Sequence, residues 1–362
     1  MRFAFCGGSS LRKNLKLQAA CRDGDLARVE RYLKEGSADV NVRTEKGENL
    51  LHLALEAGHD NVALYLLKQG GIDATKPTST RDEFWPLHAA CFWGRDQVVK
   101  TLLELHPQQA SLETPRQYET PLSLVARQGH TTTVKLLLQA QGAAADPRGK
   151  ALRAASQQGN LGIVGALVSQ YQQAQQISRL NQPNEQTNET ALFLAVAHGH
   201  LSVAHVLHHA GADPVVRNKQ QQTLLHVAAK EGHLDCVAWL LQQHNVVDVN
   251  ALDVQQRTAL YWACKQGHQN VVQKLLQAGA DLFKGKSPAV GAAVAGHVPV
   301  LQRLQQELED DGGLLPGPPK KNARTIVHMA AQHGKLAAVK YLIQDAGGSV
   351  QAADDRGFTV RQ

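Results

Sequence analysis

Apolar positions along this chain follow a two-helix rhythm that is clearest in Thr223–Leu241, TLLHVAAKEGHLDCVAWLL. Leu225, Ala228 and Ala229 fall on one face at helical spacing. The two alanines keep that face thin enough for a neighbouring helix to approach closely. Thr223 stands where a hydroxyl can accept a first-turn N–H and cap the helix. Gly232 interrupts the pattern, as a residue that closes a helix in the left-handed region does. A second helix follows, with Val237, Leu240 and Leu241 on its apolar side. The unit predicted is a helix–turn–helix with one buried face and nothing of its own to bury it against.

The unit recurs. Its inter-helix glycine is found at Gly24, Gly58, Gly94, Gly129, Gly159, Gly199, Gly232, Gly267, Gly296 and Gly334, at intervals of 34, 36, 35, 30, 40, 33, 35, 29 and 38 residues. Leu51-His52, Pro86-Leu87-His88, Thr120-Pro121-Leu122, Leu225-His226 and Thr258-Ala259-Leu260 repeat a T-P-L-H element in phase with it. A period near 33 with T-P-L-H-x-A and G-H resembles the ankyrin repeat. The resemblance covers about residues 15–358 and implies an all-α fold: an ankyrin-repeat solenoid of stacked helix–turn–helix units with short connecting β-hairpin loops, each repeat touching only its neighbours. Residues 1–14 are then expected to be a flexible leader, and residues 359–362 a tail or the start of a further repeat.

Some repeats depart from the pattern. Around Gly159 the incoming hairpin is short and the exit long: Ser169–Gln186 begins with helix-forming Gln and Ala and ends as a loop from Asn181. Around Gly296 the run SPAVGAAVAG lacks large apolar residues, and Gly291 weakens the first helix. With the Pro- and Gly-rich stretch Asp310–Lys321, it predicts the weakest seam of the array at 291–321.

Charge and cysteines narrow the picture only a little. The 362 residues include 38 Lys and Arg against 32 Asp and Glu, a net charge of +6 scattered over a long surface. That gives weak support to nucleic-acid or membrane binding. Cys21, Cys91 and Cys264 each stand three residues before a repeat glycine, and Cys236 falls on the apolar side of a second helix. All four read as small core residues, and the spacing favours neither a disulfide framework nor a metal knuckle. A reducing, cytoplasmic setting is expected, with the nucleus as an alternative.

Seventeen histidines invite a metal hypothesis. Ten are repeat positions: His52, His88, His226 and His328 in T-P-L-H, and His59, His130, His200, His233, His268 and His297 after the turn glycine. The resemblance implies that T-P-L-H imidazoles bond backbone between repeats. His205, His208 and His209 share a helix face, but no carboxylate or cysteine stands near them in sequence. The phosphate, dinucleotide, zincin and nucleophile-elbow motifs are missing from the chain. No metal site, cofactor, catalytic residue or small-molecule substrate is expected.

Function is therefore expected in a groove. In ankyrin repeats the two residues before the turn glycine face the concave side, as does the residue before the Thr of T-P-L-H. Carried over by position, these are Phe84, Phe92 and Trp93, with Arg127 and Gln128 beside them, and further along Lys230, Glu231, Arg257, Lys265 and Gln266. The reading is a non-enzymatic, monomeric interaction scaffold for a protein partner. The alternatives are a targeting module of a longer enzyme or effector, and a weak nucleic-acid or membrane-surface binder. In eukaryotic members of the family, hairpin asparagines at positions such as Asn41 and Asn250 can be hydroxylated; otherwise such side chains are expected to bond within their own hairpins.

Overall fold

The computed structural model describes residues 7–36, 38–69, 71–79, 83–115, 118–141, 146, 148–243, 247–308, 326–348 and 359. They form helices in pairs, one pair per repeat. The first five pairs are α1 (Gly7–Asp23) with α2 (Leu26–Lys34), α3 (Leu50–Ala57) with α4 (Asp60–Lys68), α5 (Pro86–Phe92) with α6 (Asp96–Leu105), α7 (Pro121–Gln128) with α8 (Thr131–Gln141), and α9 (Lys150–Gln157) with α10 (Leu161–Gln173). The other five are α11 (Ala191–Ala197) with α12 (Leu201–His209), α13 (Leu224–Glu231) with α14 (Leu234–Gln242), α15 (Ala259–Gln266) with α16 (Gln269–Gln277), α17 (Pro288–Ala295) with α18 (Val298–Glu307), and α19 (Ile326–Gln332) with α20 (Leu336–Gln344). The chain divides into two compact units, Met1–Gln182 and Pro183–Gln362. Within each, first helices pack on first helices and second on second.

Caps set the helix starts. Thr120, Thr190, Thr223 and Thr258 accept the N–H three residues on, and Asn49 does the same for α3. At Thr223 the cap is reciprocal, because its own N–H donates to His226 Nδ1 at 3.1 Å. The turn glycine is required twice over. Gly232 adopts φ 81°, and a Cβ there would lie 2.7 Å from the His268 ring. The T-P-L-H faces are closed by Leu51, Leu87, Leu122, Leu225 and Leu260, all essentially without solvent contact. Burying each such leucine contributes roughly 1.5–3 kcal/mol.

Hairpin-shaped loops join the pairs, and no extended strand occurs among the described residues. Several loops close on themselves by a backbone bond, as Asn218 N–H to Gln222 O at 3.1 Å and Asp253 N–H to Arg257 O at 3.0 Å. Neighbouring loops are tied tip to tip: Ser79 N–H to Lys46 O, Lys219 N–H to Thr187 O, Val254 N–H to Gln220 O and Lys286 N–H to Gln256 O, at 2.7–3.0 Å. Asn41 and Asn250 strengthen this tie. They do not bond only within their own hairpins; their Oδ1 atoms accept the N–H of Asp73 and of Asp281 in the next one, both at 2.8 Å.

Other expectations are modified. Helix α1 begins at Gly7, inside the stretch expected to be a leader, while residues 1–6 lie outside the described residues. Its early turns hold exposed Leu11 and Leu15, so they extend a helix whose packing starts at Leu17. The 159 repeat follows its sequence: α10 runs 13 residues to Gln173, and a 3₁₀ turn at Ile177–Asn181 leads into loop. Asp146 supplies the cap that its T-P-L-H lacks, accepting from Ala151 and Leu152 N–H at 3.0 and 3.2 Å and from the buried Tyr171 hydroxyl at 2.7 Å. At repeat nine, Gly291 is buried with α17 close against α15. A Cβ would stand 3.2 Å from Tyr261 O, so the glycine that weakens the helix also permits the contact. The rest of the expected seam, from 309 to 321, lies outside the described residues.

Cys21, Cys91, Cys236 and Cys264 are free and buried. Burial pushes the Cys21 thiol up to about 12 and that of Cys236 to about 11, and raises Cys91 and Cys264 as well. A thiolate reagent at mildly alkaline pH is expected to leave all four unmodified until denaturant is added. Mass mapping of the alkylated cysteines checks this, and native-state labelling of any of the four would contradict it.

Acid stability gives a second test. Burial lowers the His88 imidazole from 6.5 to about 4. Burial likewise lowers His226. A group depressed in the folded state stabilises above its unfolded value and loses that contribution as pH falls toward the folded one. The loss at His88 therefore runs from pH 6.5 to about 4 and reaches about 2 kcal/mol near pH 5. Denaturation midpoints should begin to fall below pH 6.5, before carboxylates titrate. The variant H88Q, which keeps an N–H donor but does not titrate, should show a shallower decline over that window.

Candidate functional site

The expected groove residues fall into two clusters, one in each unit. In the first unit, Phe84 ends the hairpin before α5, and Phe92 and Trp93 close that helix. Their rings interlock: Phe84 and Phe92 centroids are 6.4 Å apart and tilted, and Phe92 meets Trp93 edge-on at 5.0 Å. Phe84 stacks at 6.0 Å on His88, and Trp85 lies 5.3 Å from the same imidazole. Phe84 and Phe92 are half-buried, whereas Trp93 is 41 % exposed. The packing supports the rings without covering the outermost one.

Arg127 and Gln128 are exposed at the end of α7. Arg127 is committed, because its guanidinium pairs with Glu119, which lies almost wholly buried in the preceding hairpin. Lys150 reaches the same carboxylate at 3.2 Å, and the Ser123 hydroxyl also donates to it. Burial would raise the Glu119 carboxyl, but Ser123, Arg127 and Lys150 outweigh it and hold the group below the ordinary carboxylate range. Arg127 is thus a structural partner of Glu119 rather than an unattached neighbour of the aromatic rings.

In the second unit, a cavity of about 510 Å³ opens between hairpins and inner helices. Phe193 and Val227 form its apolar floor; Glu189, Lys219, Lys230 and Glu231 bring charge to its wall. Lys230 and Glu231 pair at 2.8 Å. Lys230 also reaches toward Trp262, its Nζ lying 5.7 Å from the indole centroid, with Lys265 Nζ at 5.3 Å and the Arg257 guanidinium at 4.0 Å. Three expected groove cations therefore converge on one ring. Gln266 is exposed beside Lys265.

Trp262 and Asp253 were not singled out from sequence. Asp253 accepts Arg257 Nε at 2.8 Å and Trp262 Nε1 at 3.2 Å, and its other oxygen takes the N–H groups of Gln255 and Arg257 at 2.9 and 3.0 Å. Burial would raise its carboxyl, but these bonds and the Arg257 charge together hold it low. The spacing of Asp253 and Arg257 across a hairpin, with Trp262 at the fourth residue of the helix that follows, was the available signal.

Among the described residues no group of three His, Cys, Asp or Glu is arranged to hold a metal ion. His205 and His208 instead flank Trp239, at 5.4 and 5.5 Å. No helix of the described residues is long and apolar enough to cross a membrane.

Models of ankyrin repeats match residues 17–114, 122–218 and 192–285, and a single-repeat model matches 322–355. Among curated proteins, the chain is 31 % identical over 331 residues to the ankyrin repeat and KH domain-containing protein mask-1 of Caenorhabditis elegans, covering 87 % of this chain and 12 % of that one. It is 27 % identical over 254 residues to the ankyrin repeat protein nuc-2 of Neurospora crassa, covering 61 % and 23 %. Against the mouse ankyrin repeat domain-containing protein 63 it is 35 % identical over 122 residues, covering 33 % and 30 %. The chain thus spans less than a third of the length of each of these relatives.

Removing Asp253 tests how far this cluster supports the fold. D253A leaves a largely buried guanidinium and an indole N–H unpaired, which is expected to cost about 3 kcal/mol. Chemical denaturation of the variant checks the figure, and an unchanged midpoint would contradict it.

Proposed function

The chain belongs to the ankyrin-repeat family, and from that premise we propose that it is a non-enzymatic scaffold that takes a protein partner in its concave groove. Ankyrin repeats form a protein-interaction module, and the fold alone names no partner. The observation that carries the reading is Trp93: a large aromatic, 41 % exposed, held by an edge contact from Phe92 at a groove position. Aromatic side chains are enriched at interface hot spots, where their rigid area is covered by a partner at little entropic cost. Phe84 and Phe92 support it from behind. Four buried free thiols favour a reducing compartment for this activity. Because the chain spans only part of its relatives, action as the targeting portion of a longer polypeptide is compatible with the same groove.

Affinity capture from the native host, followed by measurement with the purified partner, tests this. W93A should lose about 2 kcal/mol of binding, roughly thirtyfold in affinity, with its melting temperature nearly unchanged. F92A, half-buried between two rings, should lose both binding and some stability. Full binding by both variants would remove repeat three as the site. A steep fall of wild-type binding with salt would instead favour the phosphate-binding alternative.

A further inference from the structure

The second unit holds cations with hydrogen-bonding capacity that no described residue uses. Lys265 lies over Trp262 and makes no hydrogen bond or ion pair among the described residues. Arg257 gives its Nε to Asp253, while its terminal nitrogens bond no other described group, although the side chain is only 11 % exposed. The one anion beneath them is already consumed: Asp253 is buried and its oxygens are taken by Arg257, Trp262 and two backbone N–H groups. The negative charge is therefore at the base of the cluster and the positive charge toward the groove.

Neighbouring positions reinforce this. The finger residue of the next hairpin, equivalent to Arg257, is Lys286, and its N–H is tied to Gln256 O at 2.7 Å. The next inner helix has Val294 and Ala295 at the positions equivalent to Lys265 and Gln266, so it brings no carboxylate to Lys265. Gly291 keeps that helix close, since a Cβ there would lie 3.4 Å from Lys265 Cβ. From repeat seven to nine the charged residues at the expected groove positions are Lys230, Arg257, Lys265 and Lys286 against Glu231, and Glu231 is already paired with Lys230.

We propose that the groove of repeats seven to nine binds an acidic peptide segment, seating an aspartate or glutamate side chain between Lys265 and Arg257 at the rim of Trp262. This deepens the reading of the chain as a groove-binding module and rests on it. The cations are held by the indole and by Asp253 before any ligand arrives, so little ordering remains to be done on binding. Charge-assisted bonds from Lys and Arg to a carboxylate are the strong class of hydrogen bond. A peptide fits better than a nucleic acid. A phosphate backbone gains affinity from many neutralised charges in a row, and here few cations are spread across three repeats with Glu231 among them.

The test is fluorescence anisotropy of a fluorescein-labelled oligoglutamate peptide with the full chain at low salt, beside a labelled oligothymidylate of equal charge. Saturable peptide binding is expected, weakened about tenfold by K265E and less by K265Q. Circular dichroism should show both variants folded, since the Lys265 side chain makes no hydrogen bond or ion pair with a described residue. The oligothymidylate should bind more weakly. Absence of peptide binding, or equal binding by K265E, would overturn the proposal. Equal and equally sensitive binding of the oligothymidylate would also overturn it, in favour of a nucleic-acid ligand. The captured partner separates this from the wider reading. If W93A loses the partner and K265E retains it, the acidic assignment falls and the groove stands. If both retain it, the groove reading falls as well.

Discussion

The bond from a histidine ring to a main-chain carbonyl of the adjoining repeat is the interaction on which the rest depends. It runs both ways along the stack. His52, His88 and His226 reach forward to the carbonyls of Phe84, Glu119 and Arg257, at 3.0–3.2 Å. His59, His130, His233 and His268 reach back to those of Arg22, Phe92, Ala197 and Lys230, at 2.9–3.3 Å. The backward bonds reach carbonyls in the last turn of a first helix, which the helix leaves without a partner; the forward bonds add a second donor to carbonyls that already accept an N–H of their own hairpin. The carbonyls chosen belong to residues at, or beside, the expected groove positions. The bonds that join repeats therefore also fix the backbone that presents Phe84, Phe92, Lys230 and Arg257.

Repeat five makes both bridges with other donors. In repeat five Arg153 stands at the histidine position of T-P-L-H, and its guanidinium donates to the Gln182 carbonyl at 3.0 Å. Asn160 stands after the turn glycine, and its amide donates to the Ala126 carbonyl at 3.1 Å. Repeat five looks degenerate as a string of letters, yet both bridges are made. Where the bridge is made, an imidazole, an amide or a guanidinium supplies the N–H; Ser123, Phe193 and Tyr261, at the T-P-L-H histidine position of other repeats, carry none.

This explains what was legible in the sequence. Gly58, Gly129, Gly232 and Gly267 were readable because a left-handed turn accepts glycine almost alone and the need recurs at each repeat. Thr120, Thr190, Thr223 and Thr258 were readable because capping is local. The groove positions Phe92, Trp93, Lys230 and Lys265 followed from the same phase. Partnerships across repeats were not readable. That Asp146 caps α9, that Glu119 engages Arg127, or that three cations meet on Trp262 depends on hairpin register, and no local pattern records it. Helix α1 also began earlier than expected, at Gly7.

The two clusters differ in how recognition is tied to stability. At Phe92 and Trp93 the inter-repeat bond is made by a backbone carbonyl, so the side chains can change while the bridge from His130 persists. Such a surface is free to vary with its partner. Around Trp262 the arrangement is reversed. Asp253 closes its own hairpin, anchors Arg257 and takes the indole N–H, so the residues that aim charge into the groove also hold the hairpin. Substitution of Asp253 or Arg257 alters fold and charge together, whereas Lys265 makes no side-chain hydrogen bond or ion pair among the described residues. At repeat three the inter-repeat bond does not depend on the side chains shown there, whereas around Trp262 the hydrogen bonds of Asp253 join charge and fold.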